Sequence, residues 1–241
     1  MPEPRGVTRG VSFSMKPQRI GKNDVLAWLE RRGTRRNVEG MARYGIVAKR
    51  VFGVPIKTLL VMKQRLGTDH ALAAALWASG WYEARLLAAF VDDPARVTRG
   101  QMNAWAASFE NWADCDTVCF HLFDRTPFAW EKARQWSASS RLFVKRAAFA
   151  LMACLALHDK AAPDERFLAF LPLIEQGAGD ERNFVKKSVS WALRAIGRRS
   201  ARLKVAARTV AARLGQSEHA APRWVGRDAL RDLAKARRKA R

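Results

Sequence analysis

The segment Phe109-Glu110-Asn111-Trp112-Ala113-Asp114-Cys115-Asp116 holds the most chemically suggestive spacing in the chain. On a helix, Trp112 and Asp116 lie one turn apart on one face, while Asp114 points elsewhere. An indole face and a carboxylate aimed at one spot suit a flat or cationic substrate, since the ring quadrupole and the carboxylate both favour positive charge. The same pattern also fits a core tryptophan beside a solvated aspartate. Arg146 interrupts an apolar run containing Phe143, Ala147, Ala150, Leu151 and Cys154 at helical spacing. An arginine on a buried side requires a carboxylate or a phosphate. Asp116 is one candidate partner and a nucleic-acid phosphate the other. Lys187, Trp191 and Arg194 share a third helical face, which Arg198 extends by a turn. Cations flanking an aromatic ring form a reasonable nucleic-acid surface, and equally a core tryptophan between solvated cations.

Other chemistries find little support. Cys115, Cys119 and His121 are close in sequence but lack a fourth zinc ligand, so no metal site is expected. No phosphate-binding Walker loop, Gly-rich dinucleotide turn, HExxH or GxSxG occurs. Trp28, Trp77, Trp81, Trp105, Trp130 and Trp136 read mainly as core or packing residues.

The elements that must position these residues are helices. Strand alternation is scarce, and hairpin Asn-Gly or Asp-Gly turns are absent. Helix starts recur: Asn23 or Asp24 before Val25, Gly53-Val54-Pro55 before a helix through Arg65, Asp69 before one reaching Ser79, and Thr98 with Gln101. Later, Thr126 precedes an N1 proline, Pro163-Asp164 opens a helix over Phe167 to Gln176, and Asp180 opens one stopped by Gly197. About ten helices result. Helices of roughly 12 to 18 residues joined by short turns form antiparallel pairs, and basic residues on one side of successive helices favour a solenoid of two-helix repeats over a bundle.

Of 241 residues, 44 are Lys or Arg and 22 Asp or Glu, a net charge of +22 with 49% apolar residues. The apolar content supports a folded core and excludes a disordered basic tail. The charge calls for a polyanion: nucleic acid first, an acidic membrane surface second. No apolar run approaches the ~20 residues of a bilayer span, and no secretory signal stands at the N-terminus, so a cytoplasmic, nucleoid-associated address is expected. Three cysteines make no disulfide framework. The expected divisions are a flexible basic arm over 1–20, a repeat domain over 21–200 and a basic helical extension over 201–241. From Arg198 onward there are fourteen basic and three acidic residues.

The segments Asn37 to Ile46, Leu76-Trp77 with Glu83-Ala84-Arg85, Asp92-Asp93-Pro94, Phe123 to Ala129, Phe143 to Ala147 and Asp180 to Lys187 resemble blocks of the AlkD-like family of DNA alkylation repair glycosylases, over about residues 20 to 200. The resemblance implies an all-α solenoid of HEAT-like antiparallel helix pairs with a concave basic DNA-binding groove. It implies excision of N3- or N7-alkylated purines from duplex DNA, with neither base flipping nor lyase activity, by a monomer without cofactor or obligate protein partner. It places Trp112, Asp116 and Trp191 in the catalytic set, with Arg146 holding a backbone phosphate; the helical face shared by Lys187, Arg194 and Arg198 supplies the other expected DNA contacts. Relatives often carry an acid directly after the first tryptophan, where this chain has Ala113. The alternative is a non-catalytic HEAT-like scaffold that binds DNA or RNA by shape and charge.

Overall fold

The computed structural model describes residues 20–235. Among them, fourteen α-helices and one 3-10 turn follow one another and no strand occurs. The chain begins with α1 (Lys22–Glu30), α2 (Arg35–Arg43), α3 (Ile56–Leu66), α4 (His70–Ala78) and α5 (Tyr82–Val91). It continues through α6 (Arg99–Ala107), α7 (Trp112–His121), the 3-10 turn Phe123–Arg125, α8 (Ala129–Ser137) and α9 (Leu142–His158). The last elements are α10 (Asp164–Leu168), α11 (Leu171–Ala178), α12 (Asn183–Gly197), α13 (Ala201–Gly215) and α14 (Ala220–Leu233).

Packing sorts these helices into two rows. α3, α5, α7, α9, α12 and α14 each lie against the next, while α4, α8, α11 and α13 back onto α5, α9, α12 and α14. This is the two-layer antiparallel stacking of a HEAT-like solenoid. Helix α9 sits at its centre, with every residue from Ala147 to Ala156 buried. Alanines at 147, 148, 150, 153 and 156 carry no bulk that would hold neighbours away, so α7, α8 and α12 close around it. Aromatic rings join the pairs: Trp77 stacks on Trp105 with centroids 3.9 Å apart, and Trp130 on Phe170 at 5.0 Å. Of the tryptophans read as packing residues, Trp28, Trp77, Trp105, Trp130 and Trp136 are buried, and Trp81 stacks on Phe52.

Several helix starts follow the expected side-chain caps. Asp69 accepts the Leu72 amide and Thr98 the Gln101 amide, at 3.0 and 3.1 Å. Others differ for local reasons. Gly21 caps α1, and Asp24 instead reaches back to the Gly21 amide. Thr126 does not cap α8; its hydroxyl donates to the Phe123 carbonyl at 2.8 Å and closes the 3-10 turn, so α8 begins only at Ala129. The single helix expected over Phe167 to Gln176 breaks into α10 and α11, where Pro172 at the start of α11 has no amide to continue the ladder. Asp180 stands outside α12 and binds Arg182, and Gly197 remains inside that helix, which stops at Arg198. These breaks and the short helices raise the count from about ten to fourteen.

Residues 201–233 form the last pair, α13 and α14, packed on α12. Residues 1–19 of the expected N-terminal arm and 236–241 of the expected extension lie outside the described residues. Close approach of α13 and α14 depends on Gly226. A Cβ there would lie 2.2 Å from the Gly215 nitrogen and 2.5 Å from the Ala211 oxygen, backbone atoms that cannot step aside. Gly226→Ala should therefore force the two helices apart and cost about 1–3 kcal/mol, measurable as a lower denaturant midpoint.

Candidate functional site

Three consecutive inner helices, α7, α9 and α12, carry the residues singled out by sequence. Their separation along the chain is the length of a repeat, and the stacking cancels it.

Asn111 caps α7, accepting the Ala113 and Asp114 amides at 2.9 and 3.1 Å. Asp114 completes the capping box by accepting the amides of Glu110, Asn111 and Cys115. It is thus a buried structural acid turned away from Trp112 and Asp116. Burial pushes the Asp114 carboxyl from 3.8 up to about 6, with those three amides pulling the other way. A carboxyl raised on folding holds its proton more tightly in the native state, so its stabilisation is complete below about pH 4 and is lost as pH rises through 6. Replacement by Asn removes that titration. The stability difference between wild type and Asp114→Asn, followed by denaturant unfolding, should shift toward the variant by about 3 kcal/mol between pH 4 and 7.

The cap aims Trp112 and Asp116 the same way. The Trp112 indole N–H donates to the Tyr44 carbonyl at 2.9 Å, which fixes the ring while leaving it half-exposed. Asp116, one turn on, accepts two hydrogen bonds from Arg146 of α9: Nε to Oδ1 at 2.8 Å and Nη2 to Oδ2 at 2.6 Å. The third guanidinium nitrogen, Nη1, donates to the Phe184 carbonyl of α12 at 2.6 Å. Arg146 also lies 5.9 Å from the centre of the Trp112 ring. Its side chain is only 7% exposed, against 20% for Asp116, so the guanidinium is the more deeply buried partner of the pair. Arg146 thus has the internal partner allowed by its sequence, and its donors are turned to protein rather than to solvent. Burial raises the Asp116 carboxyl, and Arg146 opposes that rise. Arg146 is itself desolvated, which lowers it, but Asp116 outweighs this and raises the guanidinium.

On α12, Lys187 and Trp191 lie one turn apart, Lys187 exposed and Trp191 half-buried. Trp191 stands two turns beyond Phe184, about 10 Å along the helix. Lys187 makes no hydrogen bond or ion pair among the described residues. Arg194 and Arg198 look toward α14: Arg194 lies 3.7 Å from Asp228 and 3.8 Å from Asp232, and Arg198 donates to Asp232 at 2.6 Å. The structure therefore gathers Trp112, Asp116 and Arg146 into one contact cluster, sets Trp191 and Lys187 on the next inner helix, and draws Arg194 and Arg198 to the last pair.

The loop after α2 had no place among the expected site residues. Gly45, at φ +71°, turns the chain out of α2, and a Cβ there would come within 3.3 Å of the Phe184 ring. The following residues are tied to α7: the Val47 carbonyl accepts from Asn111 at 3.3 Å, and the Lys49 amide donates to Glu110 at 2.9 Å. Buried Glu83 of α5 accepts the amides of Phe52, Gly53 and Val54. The loop thus spans the N-terminal ends of α7 and α12 and holds both Trp112 and Phe184, with the Tyr44 side chain 75% exposed beside them. Its sequence signals were the helix-stopping Gly45 and the family-like block Asn37 to Ile46, neither of which pointed to a contact with Trp112.

No group of three or more His, Cys, Asp or Glu among the described residues could hold a metal ion. Cys115, Cys119 and Cys154 are buried, and burial raises each thiol, which leaves them unreactive. No helix among the described residues is long and apolar enough to cross a membrane.

By class this is a HEAT-like helical repeat solenoid, with an acid, an arginine and tryptophans on consecutive helices of one row. The chain belongs to the DNA alkylation repair enzyme family, whose model matches residues 25–233. Among solved structures it is similar to a chain described as belonging to a new family of proteins related to the HEAT-like repeat DNA glycosylases with affinity for branched DNA structures. The two share 18% identity with a TM-score of 0.73, over 88% of this chain and 94% of that one. A search among curated proteins returns no match. The HEAT-like repeat fold is common to both chains, and the family match continues through α13 and α14, beyond the boundary near residue 200 expected from sequence.

Proposed function

We propose that the protein is a monofunctional DNA glycosylase that hydrolyses the N-glycosidic bond of cationic N3- or N7-alkylated purines in duplex DNA. The observation that carries this reading is the partly exposed Asp116 side chain, its carboxylate braced by two hydrogen bonds from Arg146 beside the half-exposed Trp112 ring. An alkylated purine already carries positive charge, so its departure needs no proton donor. As it leaves, positive charge moves to the sugar, and a fixed carboxylate stabilises that oxocarbenium-like state without reorganising. A carboxylate oxygen offers about two lone pairs, so Asp116 can orient a water while bonded to Arg146. Trp112, and Trp191 on the next inner helix, provide apolar faces for the deoxyribose. Arg146 acts on the acid rather than on DNA, holding it in place and ionised. Lys187 takes a backbone phosphate, and Arg194 and Arg198 add to the field while anchored to Asp228 and Asp232. The product is an abasic site with an intact strand, since the mechanism uses no lysine Schiff base. The reading includes a monomer on DNA and a cytoplasmic, nucleoid-associated address.

The test is incubation with duplex DNA carrying 7-methylguanine, with abasic sites scored by cleavage in alkali. Alkali-dependent cleavage is expected, without cleavage before alkali. A second reading, a binding scaffold for branched DNA, draws support from the structural neighbour's affinity for branched DNA structures and from the pairing of both Asp116 oxygens with Arg146. It predicts tight, salt-sensitive binding and no base release.

A further inference from the structure

Outside the Trp112–Asp116–Arg146 cluster, α14 presents an aromatic surface with no assigned role. Trp224 is 37% exposed, an unusual position for so large an apolar ring. With Ala220, Arg223, Arg227, Asp228 and Arg231 it lines a shallow depression of about 330 Å³. The Lys186 ammonium of α12 stands 5.2 Å from the ring centre. Arg223 is turned onto the Ser217 and Glu218 carbonyls and Arg231 onto Asp228, whereas Arg227 is exposed and makes no hydrogen bond or ion pair among the described residues. The surface therefore offers a partly exposed indole already met by the Lys186 ammonium, with the unpaired side chain of Arg227 in the same depression. Such a site accepts a flat ring attached to an anion. In duplex DNA the base faces are stacked on one another and cannot reach it; an unpaired nucleotide can place its base on the ring and its phosphate against the cations.

α12 separates α9 from α14, so the surface lies two inner helices from Arg146, about 16–20 Å. Ser190 of α12 donates to Asp228 at 2.6 Å, which sets the two helices in register and keeps Lys186 over Trp224.

We propose that Trp224, with Lys186 and Arg227, is a stacking site for an unpaired nucleotide, through which the protein engages a single-stranded DNA arm next to the duplex in its groove. The proposal rests on the DNA-binding reading above. It is tested by fluorescence anisotropy with the full chain, a fully paired duplex and the same duplex bearing an unpaired arm. Wild type should bind the armed DNA about tenfold more tightly, and Trp224→Ala should remove most of that preference while changing duplex affinity by less than about twofold, within the range for one lost base stack. Trp224→Phe should retain the preference, and Arg227→Ala should lower the salt slope on armed DNA by about one. Equal losses on both DNAs, or no loss on either, would overturn the site. So would loss of binding to anionic phosphatidylserine vesicles in Trp224→Ala with armed-DNA affinity intact, which would mark a lipid surface. Base release from methylated duplex is read in parallel: its absence alongside an intact arm preference removes the hydrolytic reading and keeps this one, whereas a wild type that binds no DNA overturns both.

Discussion

Asp116→Asn should retain wild-type affinity for duplex DNA carrying 7-methylguanine and release the base at least ~100-fold more slowly, as is typical for loss of a preorganised stabilising group. Asn keeps the shape of the carboxylate and one acceptor oxygen for Arg146 but cannot offset the charge that appears on the sugar. Its effect should therefore fall on the single-turnover rate, not on binding. The two readings of the protein separate here. A scaffold would show no difference in base release, because neither protein would release any, and its affinity would respond to Lys187 instead.

Arg146→Ala has the second largest expected effect, and its signature is a pH profile. Asp116 acts ionised, burial raises its carboxyl, and Arg146 holds that rise in check. Activity falls as the carboxyl takes up its proton at low pH. Without Arg146 the carboxyl rises further, so the fall begins at higher pH and the rate at neutral pH is reduced. Raising the pH should restore part of it. Leaving one member of a buried pair alone also costs about 3–5 kcal/mol of stability, so Arg146→Lys provides a milder companion with a smaller shift in the same direction. If Arg146 instead gripped a phosphate, as the family resemblance implies, both variants would weaken DNA binding and lower its salt slope by about one, with no change in the pH profile. The three hydrogen bonds from Arg146 to Asp116 and Phe184 favour the first outcome.

Much of this arrangement was legible in the sequence because it depends on local spacing. A one-turn interval set Trp112 and Asp116 on one face whatever the tertiary fold, and an arginine inside an apolar run demanded a partner. Caps at Asp69 and Thr98 fixed two helix starts through contacts with amides three residues away. The contacts that sequence left open were long-range. Whether Arg146 met Asp116 or a phosphate depended on how closely α9 approached α7, and that distance is set by alanines that carry no directional signal. Arg194 and Arg198 shared a helical face with Trp191, but the spacing could not show that Asp228 and Asp232 of α14 would draw them aside. The role of the Tyr44 carbonyl was invisible for a similar reason: a backbone acceptor has no residue type. Breaks such as the one before Pro172 were misread because apolar periodicity runs across them unchanged.

The most direct test of the account compares single-turnover base release from two duplexes identical except at one base, 7-methylguanine in one and its uncharged 7-deaza analogue in the other. The account predicts release of the cationic base alone, with similar affinity for both duplexes, because Asp116 stabilises charge on the sugar without protonating the leaving base. Release of both bases at similar rates would contradict that mechanism, and tight binding with no release of 7-methylguanine would contradict the glycosylase itself.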